Sequence, residues 1–235
     1  MTGAVPGRGG AESTLADVQA ELRALEDPKT REANERRGDP HGVNLAQLRA
    51  LAKRVKTNHE LALDLWATGD LASRLLAILI CRPKSFGPDE LDAMMREERS
   101  PKGHDWLVNY VVKQSRHAED LRLAWLDDDD PLVVSAAWAL NAERIRKTPE
   151  TLDLPALLDT IEAEMRAAAA PVQWEMNTSL AMIGIHHPAY RARSLEIGER
   201  LEVLKDYPTP PGCTSPYAPA WIGEMVRRQE AGSSR

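Results

Sequence analysis

Cysteine, small aromatics and long apolar runs are all scarce in this chain. It holds two cysteines, one Phe and four Tyr beside six Trp in 235 residues. Cys81 and Cys213 lie far apart, so a disulfide scaffold is not expected and a reduced, cytoplasmic compartment is. No apolar run approaches the ~18 residues of a membrane span, so no membrane association is expected. The polar N-terminus does not read as a secretory signal. No segment alternates apolar and polar residues in the period of a half-buried strand. Phosphate-cradling loops, dinucleotide fingerprints, nucleophile elbows and HExxH motifs are missing too. The histidines and cysteines lack metal-ligand spacing, so no metal and no cofactor is expected. The formal charge of −6 counts against a wholly basic nucleic-acid coat, but not against a local basic groove on an acidic body.

What remains is rich in Leu and Ala, which favours helix. The stretch from His104 to Ile145 reads as three successive helices, with Trp106, Val108, Val111 and Val112 on the first. Leu121 and Trp125 mark the second, and Val133, Ala136 and Leu140 the third. The tetrad Asp127 to Asp130 and Pro131 separate the last two. Each helix has one apolar face and is too short to hide it alone. Asn44 caps a helix whose expected buried stripe is Leu45, Leu48, Ala52 and Val55. Leu71 to Cys81 is apolar nearly all round and so central. Pro131 and Pro171, 40 residues apart, each open an apolar helix, with Leu140 and Leu180 in register. A period near forty residues built of helix pairs is the HEAT or armadillo signature.

The fold class expected is therefore all-α, a HEAT/armadillo-like helical-repeat superhelix (α-α solenoid) of about ten to twelve short helices joined by loops of ordinary length. Residues 13–228 are expected to form a single domain, including a Pro-rich tail at 207–221 packed onto the body. The segments 1–12 and 229–235 are expected to be disordered.

Candidate sites each have a plain structural alternative. His186-His187 reads as a turn before Pro188 rather than a metal pair. Asp127 to Asp130 reads as a solvated turn that favours the following helix N-terminus. Arg49, Lys53 and Lys56 are spaced four and three apart, forming the clearest basic face. Phosphates would be met there, or the face is simply solvated. Trp66, Trp125 and Trp138 sit within apolar patterns and read as core. Trp106 follows a polar loop, with Asn109 and Tyr110 three and four residues on. It either lines a concave groove, where an exposed indole stacks on a base or sugar, or belongs to the core.

The run Gly42-Val43, Leu48 to Lys53, Glu60-Leu61-Ala62, Leu65-Trp66, Gly69, Arg74 and Ala77 resembles the bacterial DNA alkylation repair family. These are the HEAT-like-repeat alkylpurine-DNA glycosylases of the AlkD type. The resemblance spans about residues 15–225, strongest over 42–80 and from Gly212-Cys213 to Trp221-Ile222. It implies a helical superhelix holding duplex DNA in a basic concave cleft. It also implies excision of cationic N3- or N7-alkylated purines, with a carboxylate and tryptophans set against the nucleotide's sugar. Breaking the bond to a cationic base builds oxocarbenium character, which a nearby anion and indole faces stabilise.

The family motif Trp-Asp-x-x-Asp falls on Trp106-Leu107-Val108-Asn109-Tyr110, so Tyr110 stands at the catalytic carboxylate. Asp105, the adjacent acid, lies about a hundred degrees round the helix. The family's arginine falls at Ser135, and its second tryptophan at Thr178, one turn from Trp174. The resemblance thus points to Trp106, Asn109 and Tyr110 as the site, and Arg49, Lys53, Lys56, Lys113 and Arg144 are the candidates for phosphate contact. The expectation is a monomeric, DNA alkylation repair-type protein that binds duplex DNA, either as a diverged glycosylase that excises bases, as the resemblance implies, or as a non-catalytic binder. The alternative is a non-catalytic helical-repeat scaffold for a protein partner.

Overall fold

A computed structural model describes residues 13–233; the N-terminal segment 1–12, expected to be disordered, lies outside the described residues, as do 234–235. The described chain is all-α, with 13 α-helices and no strand. One isolated antiparallel bridge joins Glu26 to Val43. Where the sequence reads as one domain, the residues group into two compact units, each described by itself below.

The first unit runs through Phe86 and resumes at Glu98–Ser115. Helix α1 (Leu15–Ala24) starts with a capping box between Thr14 and Asp17, and α2 (Pro28–Glu35) is capped by Asp27 and buries nothing. Helices α3 (Leu45–Val55), α4 (His59–Ala67) and α5 (Leu71–Ile80) begin at Asn44, Asn58 and Asp70, whose side chains accept from backbone amides of the first turn. Helix α5 is buried on nearly every side and packs on both α3 and α4, as its unbroken apolar run predicts. The stripe on α3 is narrower than expected. Leu48 and Leu51 are the buried pair, whereas Leu45, Ala52 and Val55 are half-buried at its margins.

The second unit comprises Gly87–Glu97 and the chain from Arg116 on. Its helices are α6 (Pro88–Glu97), α8 (Ala118–Trp125), α9 (Pro131–Lys147), α10 (Leu154–Glu164), α11 (Ala170–His186), α12 (Pro188–Leu201) and α13 (Ala218–Ser233). Helix α7 (Pro101–Trp106) belongs to the first unit. The forty-residue repeat is visible here as α9 and α11, each 17 residues long and packed along one another. Leu140 and Leu180 are both buried, and Ser179 donates to the Trp138 carbonyl between the two helices at 3.3 Å. The aspartate tetrad is a turn, as expected. Asp130 caps α9, and Asp128 additionally pairs with Arg96 at 2.6 Å.

The tail departs from expectation. Tyr207, Pro208 and the run Pro210 to Cys213 are exposed, so Cys213 is not packed down. Attachment begins further on. Asn177 donates to the Pro216 carbonyl at 2.7 Å and accepts from the Ala218 amide at 3.3 Å. Ile222 is buried against α11 beside Gly184, and Pro219 sits against Gly198; a Cβ at either glycine would collide with them. The last helix is also longer than a single turn: α13 carries residues 229–233, which the sequence reading placed in a disordered end.

Candidate nucleic-acid interface

The stretch Glu98 to Gln114 is built around a buried acid. The Glu98 side chain is 3% exposed. It accepts from the Ser100 amide at 2.8 Å and hydroxyl at 2.6 Å, and from Arg74 at 3.4 Å. Ser100 in turn caps α7 through the Gly103 amide, and Gly103 lies so close to Glu98 that no Cβ would fit. The Lys102 amide donates to Asp39 at 2.7 Å, fixing the start of α7 to the loop before α3. These bonds set the direction in which α7 leaves its N-terminus.

Beyond Trp106 the helix changes pitch. Leu107–Val111 is a π-helical turn and Val112–Gln114 a 3-10 turn, so the uniform helix expected over this stretch is three geometries in succession. A π-turn widens the helix by one residue and shifts every later side chain round the axis. Here Leu107, Val108, Val111 and Val112 are buried, Asn109 is exposed and Tyr110 is half-buried.

Trp106 and Tyr110 meet edge to face, with centroids 5.5 Å apart and planes at 79°. Arg49, from α3, completes the group. Its guanidinium carbon lies 4.4 Å from the Trp106 ring centroid, and its Nη2 donates to the Tyr110 hydroxyl at 3.1 Å. Trp106 is only 3% exposed. The reading of an open indole lining a groove is therefore corrected: the ring is core on one side and covered by Arg49. Asn109 points away from this group. It donates to the Asp105 carboxylate at 2.7 Å and carbonyl at 2.9 Å, and accepts from Lys113 at 2.7 Å. Among the sequence candidates, then, Arg49, Trp106 and Tyr110 form one cluster, and Asn109 and Lys113 a neighbouring chain.

Lys53 and Lys56 follow Arg49 along α3 and are exposed. Lys56, which closes the helix, has φ 64° and ψ −171°, a backbone conformation that glycine alone adopts without strain. Arg144 belongs to the second unit and is not a free cation. It pairs with Glu119 at 2.9 Å and donates to Thr151 at 2.7 Å. Ser135, at the family's arginine position, is buried and donates to the Leu132 carbonyl. Thr178 donates to the Trp174 carbonyl, while Trp174 is 38% exposed.

Sequence reasoning missed the Glu98–Arg74 pair, in which the acid stands two residues before a capping serine. It also missed Arg122, 6% exposed and held by Glu119 and the Asn141 side-chain oxygen. Among the described residues no group of three or more His, Cys, Asp or Glu is placed to hold a metal ion. No helix there is long and apolar enough to cross a membrane.

The family model described as DNA alkylation repair enzyme matches residues 18–222, and the chain belongs to that family. No curated protein matches the sequence. A solved structure described as "a new family of proteins related to the HEAT-like repeat DNA glycosylases with affinity for branched DNA structures" superimposes with a TM-score of 0.77. It covers 94% of this chain and 97% of that chain at 22% identity, a likeness of fold.

Proposed function

We propose that this protein is a DNA-binding member of the repair family that engages branched DNA and does not excise bases by the family's carboxylate route. The observation that carries this reading is the position of Arg49. A glycosylase acting on a cationic purine needs an anion and open indole faces where positive charge develops. Here the carboxylate position is a phenol, and the face of Trp106 already holds a guanidinium hydrogen-bonded to that phenol. A cluster that stores a positive charge opposes a second one beside it.

The DNA-binding half of the proposal rests on the exposed cations Arg49 and Lys53 of α3 and Lys56 at its end and on the family. Phosphate contact by such cations gives salt-dependent affinity without sequence preference. The preference for branched DNA is drawn from the affinity described for the structural neighbour.

The test is a binding series with a four-way junction and a linear duplex of matched length and sequence, over a range of salt, with release of 7-methylguanine assayed in parallel. Tighter binding to the junction, weakened in Lys53→Glu, with no base release, is the expected result. Base release abolished by Trp106→Ala would overturn the non-catalytic half. Failure to bind either DNA at low salt would overturn the DNA reading and favour a scaffold for a protein partner.

A further inference from the structure

Four large apolar side chains are exposed among the described residues, and two of them touch. Trp174 of α11 is 38% exposed and Tyr207 of the tail 49%. Their rings lie edge to face, 5.2 Å between centroids and 67° between planes. Burial does not account for the pair, since both rings keep solvent-facing surface. Nor is Tyr207 there by default, because the backbone that delivers it is strained. Glu202 and Leu204 both have positive φ, 54° and 60°, in the turn after α12. Neither is glycine, and each left-handed residue costs energy that a relaxed chain would avoid.

The turn is also braced. Arg166 donates to the Arg200 and Leu201 carbonyls at the end of α12, at 2.7 and 2.9 Å. The Gln173 side chain, next to Trp174, donates back to the Arg166 carbonyl at 2.8 Å. Arg166 thus ties the base of the tryptophan to the base of the turn. Pro208 then fixes the chain beyond Tyr207, whose carbonyl accepts from Thr209 at 3.1 Å. Arg166 uses its hydrogen bonds on backbone and has no direct carboxylate partner among the described residues, although its charge acts on Glu202. The result is an exposed aromatic pair delivered by a braced turn.

We infer that Trp174 and Tyr207 form a stacking platform for an unstacked nucleobase at a DNA branch point. This rests on the DNA-binding proposal and names the feature of branched DNA that is read. Rigid aromatics bind flat rings at little entropic cost, and a base stacked on such a ring needs no particular sequence. A continuous duplex hides its bases within the stack, whereas a branch point exposes them.

The experiment uses the full chain and two probes of matched sequence: a four-way junction with 2-aminopurine at the branch, and a linear duplex with 2-aminopurine at the same position. Trp174→Ala and Tyr207→Ala alter exposed side chains, and circular dichroism checks that both variants fold. The expected result is about a five- to hundred-fold loss of junction affinity in Trp174→Ala. Duplex affinity should be unchanged, and Trp174→Phe should recover most of the loss. Binding should quench 2-aminopurine in the junction only for chains that keep an aromatic at 174. Equal losses on junction and duplex, or no loss on either, would overturn the platform. Lys53→Glu separates this from the wider reading. If wild type binds and Lys53→Glu does not, while Trp174→Ala binds as wild type, the platform alone falls. If wild type binds neither DNA, both fall.

Discussion

Arg49 lays its guanidinium over the Trp106 indole, 4.4 Å from the ring centroid, and so closes the one aromatic face that the family motif would present. The contact joins α3 to the π-turn and is reinforced by the bond to Tyr110. Removing it should open the indole without unfolding the protein. Arg49 is exposed. Its loss should therefore cost about 1–2.5 kcal/mol, the sum expected of a surface cation–π contact and one hydrogen bond. Arg49→Ala should raise acrylamide quenching of tryptophan fluorescence, and the increment should vanish in Arg49→Ala with Trp106→Phe. An unchanged quenching profile would mean that other side chains cover the ring.

Placing the family's carboxylate back at position 110 is expected to fail on its own. Tyr110→Asp would set an acid within reach of Arg49, and the pair would neutralise the charge that catalysis requires. Base release is expected to stay at background in Tyr110→Asp. Combined with Arg49→Ala, which frees both the carboxylate and the indole face, it should rise above background in the 7-methylguanine assay. Activity in the single variant would show that Arg49 does not govern the site.

The buried Glu98 should matter more to stability than any surface ion pair. It holds Arg74 and the Ser100 cap together at 3% exposure. Truncation to Ala leaves the Ser100 amide and hydroxyl without their acceptor and takes the carboxylate from the largely buried Arg74, which keeps the Trp66 carbonyl and ring. The expected cost is about 3–5 kcal/mol, read as a shift in urea midpoint at constant slope. Glu98→Gln keeps one oxygen acceptor and should lose less. Gly103→Ala should be comparably damaging, since its Cβ would meet the Glu98 carboxylate.

The helical fold was legible because it is written in local periodicity. Caps at Asn44, Asn58, Asp70, Asp130 and Asp153 lie where the sequence puts short polar residues before apolar runs, and all five accept from first-turn amides. Pro131 and Pro171 each stand in the first turn of their helix, α9 and α11, as their spacing suggests. The cover over Trp106 was not legible, because Tyr110 and the arginine bound to it are 61 residues apart. The π-turn was hidden because Val108, Val111 and Val112 fit an α-helical stripe equally well. In the tail, Pro208, Pro210, Pro211 and Pro216 stand outside any helix, but Pro219 lies in the first turn of α13, and part of the anchor is a buried asparagine, Asn177, that reads in sequence as an unremarkable polar residue. The α13 boundary was missed because residues 229–232 are exposed and give no apolar period.

If the basic face of α3 meets phosphates, it should do so additively and without regard to sequence. Each of Arg49, Lys53 and Lys56 that contacts a phosphate contributes about 0.9 to the slope of log affinity against log salt on duplex DNA. Lys53→Ala and Lys56→Ala should each reduce that slope by about this amount. Arg144→Ala should leave it unchanged, since Arg144 is engaged by Glu119 and Thr151. A fall in slope for Arg144→Ala would place that residue on the DNA after all.

Acid should loosen the second unit through a single arginine. Arg96 bonds to Asp92 at 2.8 Å and to Asp128 at 2.6 Å, and Asp92 also accepts from the indole nitrogen of buried Trp125 at 2.8 Å. The hydrogen bonds from Arg96 hold both carboxyls below the usual carboxylate range, with the Trp125 bond assisting at Asp92 and the Asp130 amide at Asp128. For an acid whose folded value is lowered, the stabilisation is fully present above the unfolded value of about 4 and is lost as pH falls through the folded value. Arg96 itself stays protonated throughout that window, so the dependence comes from the two aspartates. Because Arg96 and Asp92 are partly exposed, solvent screening limits the cluster to about 1 kcal/mol at neutral pH. Urea unfolding of Arg96→Ala should therefore show lower stability than wild type at pH 7, with the difference shrinking below pH 4. A gap that persists at low pH would mean that Arg96 acts through packing rather than charge.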